Sequence, residues 1–524
     1  MISNNDTKSS IYEYLLASLD LTSDAIYFSD SIILGKELFK NINSLANYIN
    51  SFKFSEETVV SLCLPNILES VYAFYAINKA GLIVNIIHDA IPLSGIIDVL
   101  EKTRTKLIFT TPHVAKGLIK LGVNENIKII ICGLNSLGLK CKNTYDFNDC
   151  KSEIDMSHAC NCNPYKTALI LNSGGTSGVP KLVELSSYAV NELASKIAKR
   201  ISHHQTYSKN DNALVVLPLF HGYGLVIGMH SFLALNGTIT LIENKEIDYI
   251  VSQMNKYKTN IILAVPNMIS KFFDNNLFNS SVVKQIKKCY VGGDVLNINL
   301  RKKFNELLKE KSSVEKVYEG YGLTELVTVT SASDEMGKEG SVGRPLEGVK
   351  YKIVDDFGKI LGPFECGELH ISGSTIMNGY FEDQEETSKV IYADNEGIKW
   401  VKTGDIFYLD EDGYAYFVER KKNVVKISGV NVFIHEIENL AREHANVKDA
   451  AVVAQNDKKG KLCLKLFLVL EEPQVIDKIK IQEEVFSILS NKLSKYSLPK
   501  EIEIIKELPL TNIGKIDYKK LVEQ

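Results

Sequence analysis

Short apolar segments alternate with helix-like segments in the first quarter of the chain, and this alternation narrows the possible folds most. TVVSLCL, LIVNII, KLIFTT and IKIIIC are short and almost continuously apolar. Residues 37–49 and 69–79 instead carry apolar side chains at three- and four-residue spacing, as amphipathic helices do. A strand that is apolar on both faces needs a helix layer on each side of its sheet. The pattern therefore predicts a parallel sheet in an α/β layer.

The alternation returns in the middle of the chain and then gives way to two other patterns. NALVVLPLF, GTITLI, NIILAVP and KCYVGG are each followed by a helix-like segment, so we expect a second α/β sheet. Residues 349–413 hold short alternating strands separated by DDFG, DNEG and EDG turns, which indicate a β-rich subdomain. After the charged segment ERKKNVV, a helix pattern and strands such as AAVVAQ and KLFLVL indicate a small α+β domain.

The chain length and these patterns together predict two domains. A chain of 524 residues is too long for one ordinary hydrophobic core. We predict an α/β protein whose large N-terminal domain, residues 1–419, contains two α/β sheet subdomains and a β-rich subdomain. Residues 420–524 are predicted to form the small α+β C-terminal domain. Residues 124–163 lose the pattern and are interpreted as a linker.

Composition excludes several classes of partner. The formal net charge of −4 gives no general attraction to nucleic acid or to an anionic membrane surface. No apolar run approaches the length of a membrane span, and MISNNDTKSS does not look like a signal peptide. We therefore expect a cytoplasmic protein without a membrane span.

The nine cysteines are an odd number scattered through the chain, which favours reduced thiols over a disulfide framework. One group combines His158 with Cys141, Cys150, Cys160 and Cys162. Structural zinc sites usually pair their ligands as C-x₂₋₄-C, and these spacings fit that rule poorly. We interpret the group as a polar linker that contains thiols.

A glycine- and hydroxyl-rich segment, SGGTSGVPK at residues 173–181, stands between an apolar run and a helix-like segment that begins at Ser187. A strand, such a loop and a helix together can present backbone N–H groups and hydroxyls to a phosphate. The candidate phosphate-binding residues are Ser173, Gly174, Gly175, Thr176, Ser177, Gly178 and Lys181. The segment is not a P-loop, because two residues separate its last glycine from the lysine. Composition alone favours a plainer interpretation, a flexible turn with a solvated lysine.

The segment nevertheless resembles the phosphate-binding signature of the adenylate-forming (AMP-binding) superfamily, which includes acyl- and aryl-CoA synthetases, luciferase-like enzymes and adenylation domains. Further strings resemble the signatures of that family and occur in its order: PLFHGYG at 218–224, YEGYGLTE at 318–325, WVKTGD at 400–405 and LPLTNIGK ending at Lys515. Each residue alone has an ordinary structural explanation. The ordered set identifies the chain as similar to this family over nearly its whole length.

The resemblance implies a site for ATP and Mg²⁺. It assigns adenine contacts to Gly292, Gly293, Glu319, Gly320 and Tyr321. In the same way, it assigns to Thr324 a hydroxyl directed at a phosphate, and to Glu325 and Thr176 the binding of the metal. Asp405 would bind the ribose, and Arg420 would contact the nucleotide. Several residues depart from the pattern of the family. Asp294 and Val295 stand where alanine and proline are frequent, and Glu319 stands where an amide is frequent. Lys402 replaces the usual arginine, Tyr518 stands where arginine is frequent, and Leu182 is a further departure.

The resemblance also implies two half-reactions served by a C-terminal domain that turns about Lys422. Lys515 would catalyse adenylation, and Lys426 and Gly429 would bind the pantetheine arm of coenzyme A after the turn. His221 would act as an aromatic gate between the acid and the thiol channel. Residues 219–224 contain no acid to pair with a substrate ammonium, so an amino-acid substrate is disfavoured. The apolar residues 225–232 suit a fatty or aryl acid, although they suit a helix core equally well.

The expected function is therefore an ATP-dependent, AMP-forming carboxylic acid:CoA ligase. A ligase that loads an acyl carrier protein stays open as an alternative, as does a nucleotide-binding regulator without turnover. Light emission is only weakly disfavoured. The expected partners are a small carboxylic acid, ATP and coenzyme A, and no nucleic acid.

Overall fold

The computed structural model describes residues 6–133, 141–152, 162–173, 181–202, 211–278, 280–312, 316–334, 336–427, 430–456, 462–471, 477–509 and 516–522. Several predicted site residues lie outside these ranges: Gly174, Gly175, Thr176, Ser177, Gly178, Gly429 and Lys515.

The strands of the described chain are β1 Asp24–Phe28, β2 Ser31–Leu34, β3 Val59–Cys63, β4 Ile83–Ile86, β5 Leu107–Thr110, β6 Lys128–Ile131, β7 Thr144–Asp146, β8 Thr167–Ser173, β9 Lys181–Ser186, β10 Asn212–Val215, β11 Thr238–Leu241, β12 Ile261–Ala264, β13 Lys288–Val291, β14 Tyr318–Gly322, β15 Val329–Ala332, β16 Arg344–Pro345, β17 Lys350–Val354, β18 Gly367–Ser372, β19 Gly379–Tyr380, β20 Ile391–Ala393, β21 Lys399–Leu409, β22 Ala415–Arg420, β23 Val425–Ile427, β24 Val430–Val432, β25 Val447–Asn456, β26 Leu462–Leu470 and β27 Glu501–Ile505.

The α-helices of the described chain are α1 Ile11–Leu16, α2 Gly35–Asn50, α3 Leu68–Lys79, α4 Leu93–Lys102, α5 Pro112–Lys120, α6 Ser187–Ser202, α7 Ile247–Tyr257, α8 Pro266–Phe273, α9 Ser280–Val283, α10 Ile298–Lys311, α11 Gln384–Val390, α12 Ile434–Arg442, α13 Lys478–Lys492 and α14 Tyr518–Val522. A π-helix spans Tyr223–Ser231. None of the helices in the described part of the chain has the length and apolar character needed to span a membrane.

The first α/β sheet confirms the predicted parallel layer. Within the described chain its eight strands run in the order β19-β9-β8-β4-β3-β5-β6-β7. The strands from β8 to β7 pair in parallel, and every residue of β3, β4 and β5 is buried. Strands β6 and β7 both lie within residues 124–163, so part of the segment interpreted as a linker belongs to the sheet.

The second α/β sheet is also confirmed, but it recruits the start of the chain. Its described strands run in the order β16-β15-β14-β13-β12-β10-β11-β1-β2, with a parallel centre. Strand β1 pairs in parallel with β11, so that Ile26 lies opposite Ile239. One apolar core joins the two sheets, and residues 71–77 of α3 belong to it.

The predicted order of strand, loop and helix around SGGTSGVPK is wrong in one respect. Residues 181–186 form strand β9, antiparallel to β8, before α6 begins. KLVELS is a short segment that buries Leu182, Val183 and Leu185, and in the ladder Leu185 lies opposite Leu169 and Val183 opposite Leu171. The start of α6 therefore does not follow the loop directly, since β9 stands between them.

The remaining strands form the β-rich subdomain and the small C-terminal unit. Strands β17, β18, β21 and β20 pair in that order, and β22 pairs with β21. In the C-terminal unit, β25, β26 and β27 pack against α12 and α13 around a separate core that includes Ile437, Leu466 and Val485. This arrangement confirms the predicted fold class. The exact division at 419/420 stays a prediction.

The cysteines depart from the expectation in one place. Seven of the described cysteines are free thiols, and Cys162 is disulfide-bonded, which differs from reduced thiols throughout. No group of three metal-ligating side chains occurs among the described residues.

Candidate active site

Asp405 is held in a buried cluster by two side chains of the predicted site. The Tyr321 hydroxyl donates to Asp405 Oδ2 at 2.6 Å, and Arg420 Nη1 lies 3.0 Å from Oδ1. Asp405 and Arg420 are opposite each other on β21 and β22, and Tyr321 comes from β14. Three residues that are distant in the sequence, all predicted to bind the nucleotide, therefore meet at one point.

The cluster leaves one acceptor available. The Asp405 side chain is only 1% exposed, yet Oδ1 has no partner in hydrogen-bonding geometry, although it is within ion-pair distance of Arg420. Burial raises the pKa of Asp405, while Arg420 and Tyr321 act in the opposite direction. Burial also raises the pKa of Tyr321 well above its usual value, and Asp405 adds to this. Asp405 Oδ1 therefore keeps acceptor capacity beside Arg420, which suits a hydroxyl such as those of a ribose.

Glu325, the predicted metal ligand, is positioned by Tyr380, which sequence reasoning missed. The Tyr380 hydroxyl donates to Glu325 Oε1 at 2.8 Å, and Lys181 Nζ lies 4.7 Å from the centre of the Tyr380 ring. Lys181 also pairs with Glu386 at 2.8 Å, and Lys181 together with Lys389 lowers the pKa of Glu386 to about 2. Tyr380 thus stands between the exit of the glycine-rich segment and the candidate metal carboxylate. Its place on β19, beside β9, has no local signature in the sequence.

The ends of the glycine-rich segment are fixed to each other. Ser173 ends β8 and Lys181 begins β9, and these two residues are directly paired in the antiparallel ladder. The residues between them lie outside the described chain, so their phosphate-binding role stays a prediction.

The turn after β14 is tightly constrained. A Cβ at Gly322 would lie 1.5 Å from the carbonyl oxygen of Thr328, so only glycine fits there. Val327 is fully buried and has a φ of 69°, which is unfavourable for a β-branched residue. A Cβ at Gly222 would lie 2.4 Å from the carbonyl oxygen of Val327. This contact packs the PLFHGYG segment against the turn that carries Thr324, which begins a short 3₁₀-helix.

An apolar cavity opens beside β14 where the sequence suggested an acid pocket. Its empty volume is about 750 Å³ including its open mouth. Its described lining is mostly apolar, aromatic or glycine, and consists of Ile197, Arg200, Tyr223, Ile227, Phe232, Leu263, Tyr290, Val291, Gly292, Gly293, Gly320, Tyr321, Gly322, Thr328, Val329 and Ala332. The expected contributions of residues 221–232, Gly292 and Gly320 are therefore present. Arg200 was not anticipated, because it belongs to a helix pattern far from the signature strings.

Glycines permit the close approach of two strands at the cavity wall. A Cβ at Gly292 would lie 3.3 Å from the carbonyl oxygen of Gly320, and Gly293 has a φ of +83°. The adenine contacts assigned to these residues stay a prediction.

Glu319 is already engaged by a protein partner. Arg301 Nη1 lies 2.7 Å from Glu319 Oε1, and Arg301 Nη2 lies 2.8 Å from Glu339. Burial raises the pKa of Glu319, while Arg301 acts to lower it. A contact between Glu319 and adenine stays a prediction, and this ion pair would have to accommodate it.

The predicted gate residue, His221, is not among the described residues that line the cavity. His221 is exposed and follows Phe220, whose ring stacks on His88 with centroids 3.8 Å apart. The His221 ring lies 4.6 Å from that of Phe220. Its gating role stays a prediction.

The junction between the two domains contains a histidine between two fully buried carboxylates. The His435 backbone N–H donates to Glu419 Oε2 at 2.9 Å. The ring atom Nδ1 of His435 lies 3.0 Å from Glu438 Oε2. The Tyr518 hydroxyl donates to Glu438 Oε1 at 3.0 Å. Tyr518, a departure from the family pattern, therefore supplies a neutral donor to this buried acid. Lys422 belongs to the 3₁₀-turn Lys421–Asn423 just before this junction.

Lys426 lies on β23 with an exposed side chain. The structure brings it into no described contact with the Asp405 cluster. Its predicted role in binding the pantetheine arm is therefore not tested by this geometry.

Comparisons with known proteins agree with this geometry. The family model of the AMP-binding enzyme matches residues 23–381, and that of the AMP-binding enzyme C-terminal domain matches residues 436–515. The chain is 30% identical over 360 residues to the long-chain-fatty-acid–CoA ligase of Bacillus subtilis (strain 168), a match that covers 68% of this chain and 61% of that relative. It therefore spans about three fifths of the length of that relative.

Two further similarities cover most of both chains. The long-chain-fatty-acid–CoA ligase of Haemophilus influenzae is 26% identical over 517 residues, with 93% of this chain and 89% of that protein covered. The ATP-bound MatB structure from Rhodopseudomonas palustris superposes with a TM-score of 0.85 at 20% identity, over 98% of each chain, and so shares the fold. The chain belongs to the AMP-binding enzyme family.

Proposed function

We propose that the protein is an ATP-dependent, AMP-forming carboxylic acid:CoA ligase. The observation that carries this proposal is that Tyr321 contacts two parts of the site. It lines the apolar cavity and also donates to the buried Asp405. An acid in the cavity and a nucleotide on Asp405 would therefore meet beside one strand, which is the arrangement that acyl transfer to a nucleotide needs.

In the proposed first step, the carboxylate of the acid attacks the α-phosphorus of ATP and pyrophosphate leaves. Both reactants are anionic, so the protein must align them and offset their charge. Asp405 would accept hydrogen bonds from the ribose hydroxyls, and the Tyr321 ring would stack on adenine. The Thr324 hydroxyl and the glycine-rich segment would donate to phosphate oxygens. Glu325 would hold Mg²⁺, which would supply positive charge beside the phosphates.

In the proposed second step, the thiol of coenzyme A attacks the acyl-adenylate and AMP leaves. Lys515 would serve only the first step, and the Lys426 and Gly429 region would replace it after a rotation of the C-terminal domain. His435 and Glu419 lie where such a rotation would act, since they join the last strand of the large domain to the first helix of the small one.

The proposed substrate is a fatty or aryl acid. The lining of the cavity supports this class, because apolar and aromatic side chains favour an acyl chain or ring over a polar group. The names of the two relatives point to long-chain fatty acids as the first to test.

Pyrophosphate release from ATP tests the proposal. Short, medium and long fatty acids and aryl acids would each be assayed with and without coenzyme A. Release that requires one class of acid and turns over only with coenzyme A would support the ligase. A single burst of pyrophosphate that coenzyme A does not affect, followed by turnover when an acyl carrier protein is added, would show that the carrier protein is the acceptor instead of coenzyme A. No release with any acid, despite ATP binding, would favour a regulator.

A further inference from the structure

Arg200 is the only charged side chain among the described residues that line the active-site cavity. It lies in the last turn of α6, three residues after Ile197, which lines the same cavity. Residues three apart on a helix share a face, so α6 presents an apolar side chain and a guanidinium to the cavity together. A charge in an otherwise apolar wall calls for a specific partner.

The protein satisfies this guanidinium only in part. Nη2 donates to the carbonyl oxygen of Ala332 at 2.5 Å and to Asp334 Oδ2 at 3.2 Å. Nε is buried without a hydrogen-bond partner, and the side chain is 22% exposed. A guanidinium has five N–H donors, and the hydrogen bonds to described residues both come from Nη2. Because Nε is closed to solvent, a ligand in the cavity meets the exposed part of the guanidinium, and there an acceptor is favoured over an apolar group.

The charge of Arg200 is already balanced, and this decides the kind of acceptor. Asp334 is the counterion, and its Oδ1 is also buried without a hydrogen-bond partner. A second carboxylate on the ligand would be attracted by Arg200 but repelled by Asp334. A neutral oxygen would accept from the guanidinium without this repulsion.

The position of Arg200 separates it from the reacting end of the acid. Arg200 donates to the carbonyl oxygen of Ala332, which lies opposite Gly320 of β14. Gly320 precedes Gly322 by two residues and Thr324 by four. Two residues of strand extend roughly 7 Å. An acceptor at Arg200 would therefore belong to the body of the acyl group rather than to the carboxylate that reacts.

We infer that the acid activated by this protein carries a neutral oxygen, a carbonyl or a hydroxyl, along its acyl group, and that Arg200 binds it. This inference rests on the proposed acid-activating function and narrows its substrate class from fatty or aryl acids to oxygenated ones. Arg200 is then a specificity-determining residue.

The experiment compares acids of equal chain length in acyl-adenylate formation, measured by pyrophosphate release. The set contains the unsubstituted acid, keto and hydroxy acids with the oxygen at successive positions, and the dicarboxylic acid. With the wild-type protein, kcat/KM for at least one keto or hydroxy acid should exceed that for the unsubstituted acid by about ten- to a hundredfold, the ratio expected for a hydrogen bond to a charged group. In Arg200→Met this ratio should fall to near one.

Arg104→Met is the matched control, because Arg104 forms an exposed ion pair with Glu382. It should keep the wild-type ratio. A wild-type preference for the unsubstituted or the dicarboxylic acid, or an unchanged ratio in Arg200→Met, would overturn the inference. If no acid releases pyrophosphate, the proposed function fails. The inference about Arg200 is then tested separately by calorimetry, which measures the binding of the same acids to wild type and to Arg200→Met. Tighter binding of a keto or hydroxy acid to wild type than to Arg200→Met supports it, and equal binding overturns it.

Discussion

Replacing Tyr380 by phenylalanine would test whether this residue positions the metal carboxylate. The substitution removes the hydroxyl that donates to Glu325 at 2.8 Å and keeps the ring beneath Lys181. A hydrogen bond to a charged group contributes about 1.5–3 kcal/mol. Loss of a partner that orients a metal-ligating carboxylate typically weakens metal binding about 10- to 100-fold. We therefore expect the Mg²⁺ concentration for half-maximal pyrophosphate release to rise by about that factor in Tyr380→Phe.

The assay is a Mg²⁺ titration of pyrophosphate release at saturating ATP and acid. Tyr392→Phe is the matched control, since its hydroxyl bonds with His370 Nδ1 at 2.7 Å in the β-rich subdomain. Tyr380→Leu removes the ring as well and reports on the contact with Lys181. A Mg²⁺ requirement of Tyr380→Phe equal to that of the control would refute the idea that this hydroxyl orients Glu325.

Three other predictions concern the domain junction, the turn after β14 and the C-terminal lysine. Burial lowers the pKa of His435, and Arg442 acts in the same direction, but Glu438 and Glu419 raise it overall. The stabilising effect of the protonated His435 is therefore present at low pH and is lost as the pH rises through the raised pKa. The thermal midpoint of wild type should exceed that of His435→Gln by more at about pH 6 than at about pH 9, and an equal gap at both would contradict this. Gly322→Ala should lose adenylation and thermal stability because its Cβ would overlap a carbonyl oxygen, whereas Gly95→Ala, in a helix with room for a methyl group, should raise the midpoint slightly. Lys515→Ala should remove most pyrophosphate release but spare thioester formation from pre-made acyl-AMP, and equal loss of both half-reactions would argue against its proposed role.

The sequence predicted the elements whose pattern is local. Continuous apolar runs predicted the parallel strands β3 to β6. A strand that is buried on both faces has apolar residues on both, so its sequence does not alternate between apolar and polar residues. The sequence also indicated Tyr321 and Asp405 as site residues, because each belongs to a short string that resembles a signature of the family. Their direct hydrogen bond joins strands of two subdomains and could not be read from either string.

The missed features depend on contacts between distant segments. Nothing near Tyr380 indicates that its hydroxyl reaches Glu325, because β19 meets β9 only after the β-rich subdomain has folded back. Arg200 ends an amphipathic helix, where a basic residue usually interacts with solvent. Strand β9 was not predicted, because KLVELS stands between two stronger patterns, the glycine-rich segment and the helix pattern that begins at Ser187.

The pairing of Ile26 with Ile239 has a consequence for the order of folding during synthesis. Strand β1 leaves the ribosome early, but its partner β11 is made only after strands β3 to β9 of the first sheet and β10 of the second have been translated. At about 5–20 residues per second, β1 and β2 wait for roughly ten to forty seconds with an unpaired edge. An exposed strand edge can pair with other chains. The amino-terminal hairpin is therefore the segment where slow translation or a chaperone would most affect the yield of folded protein.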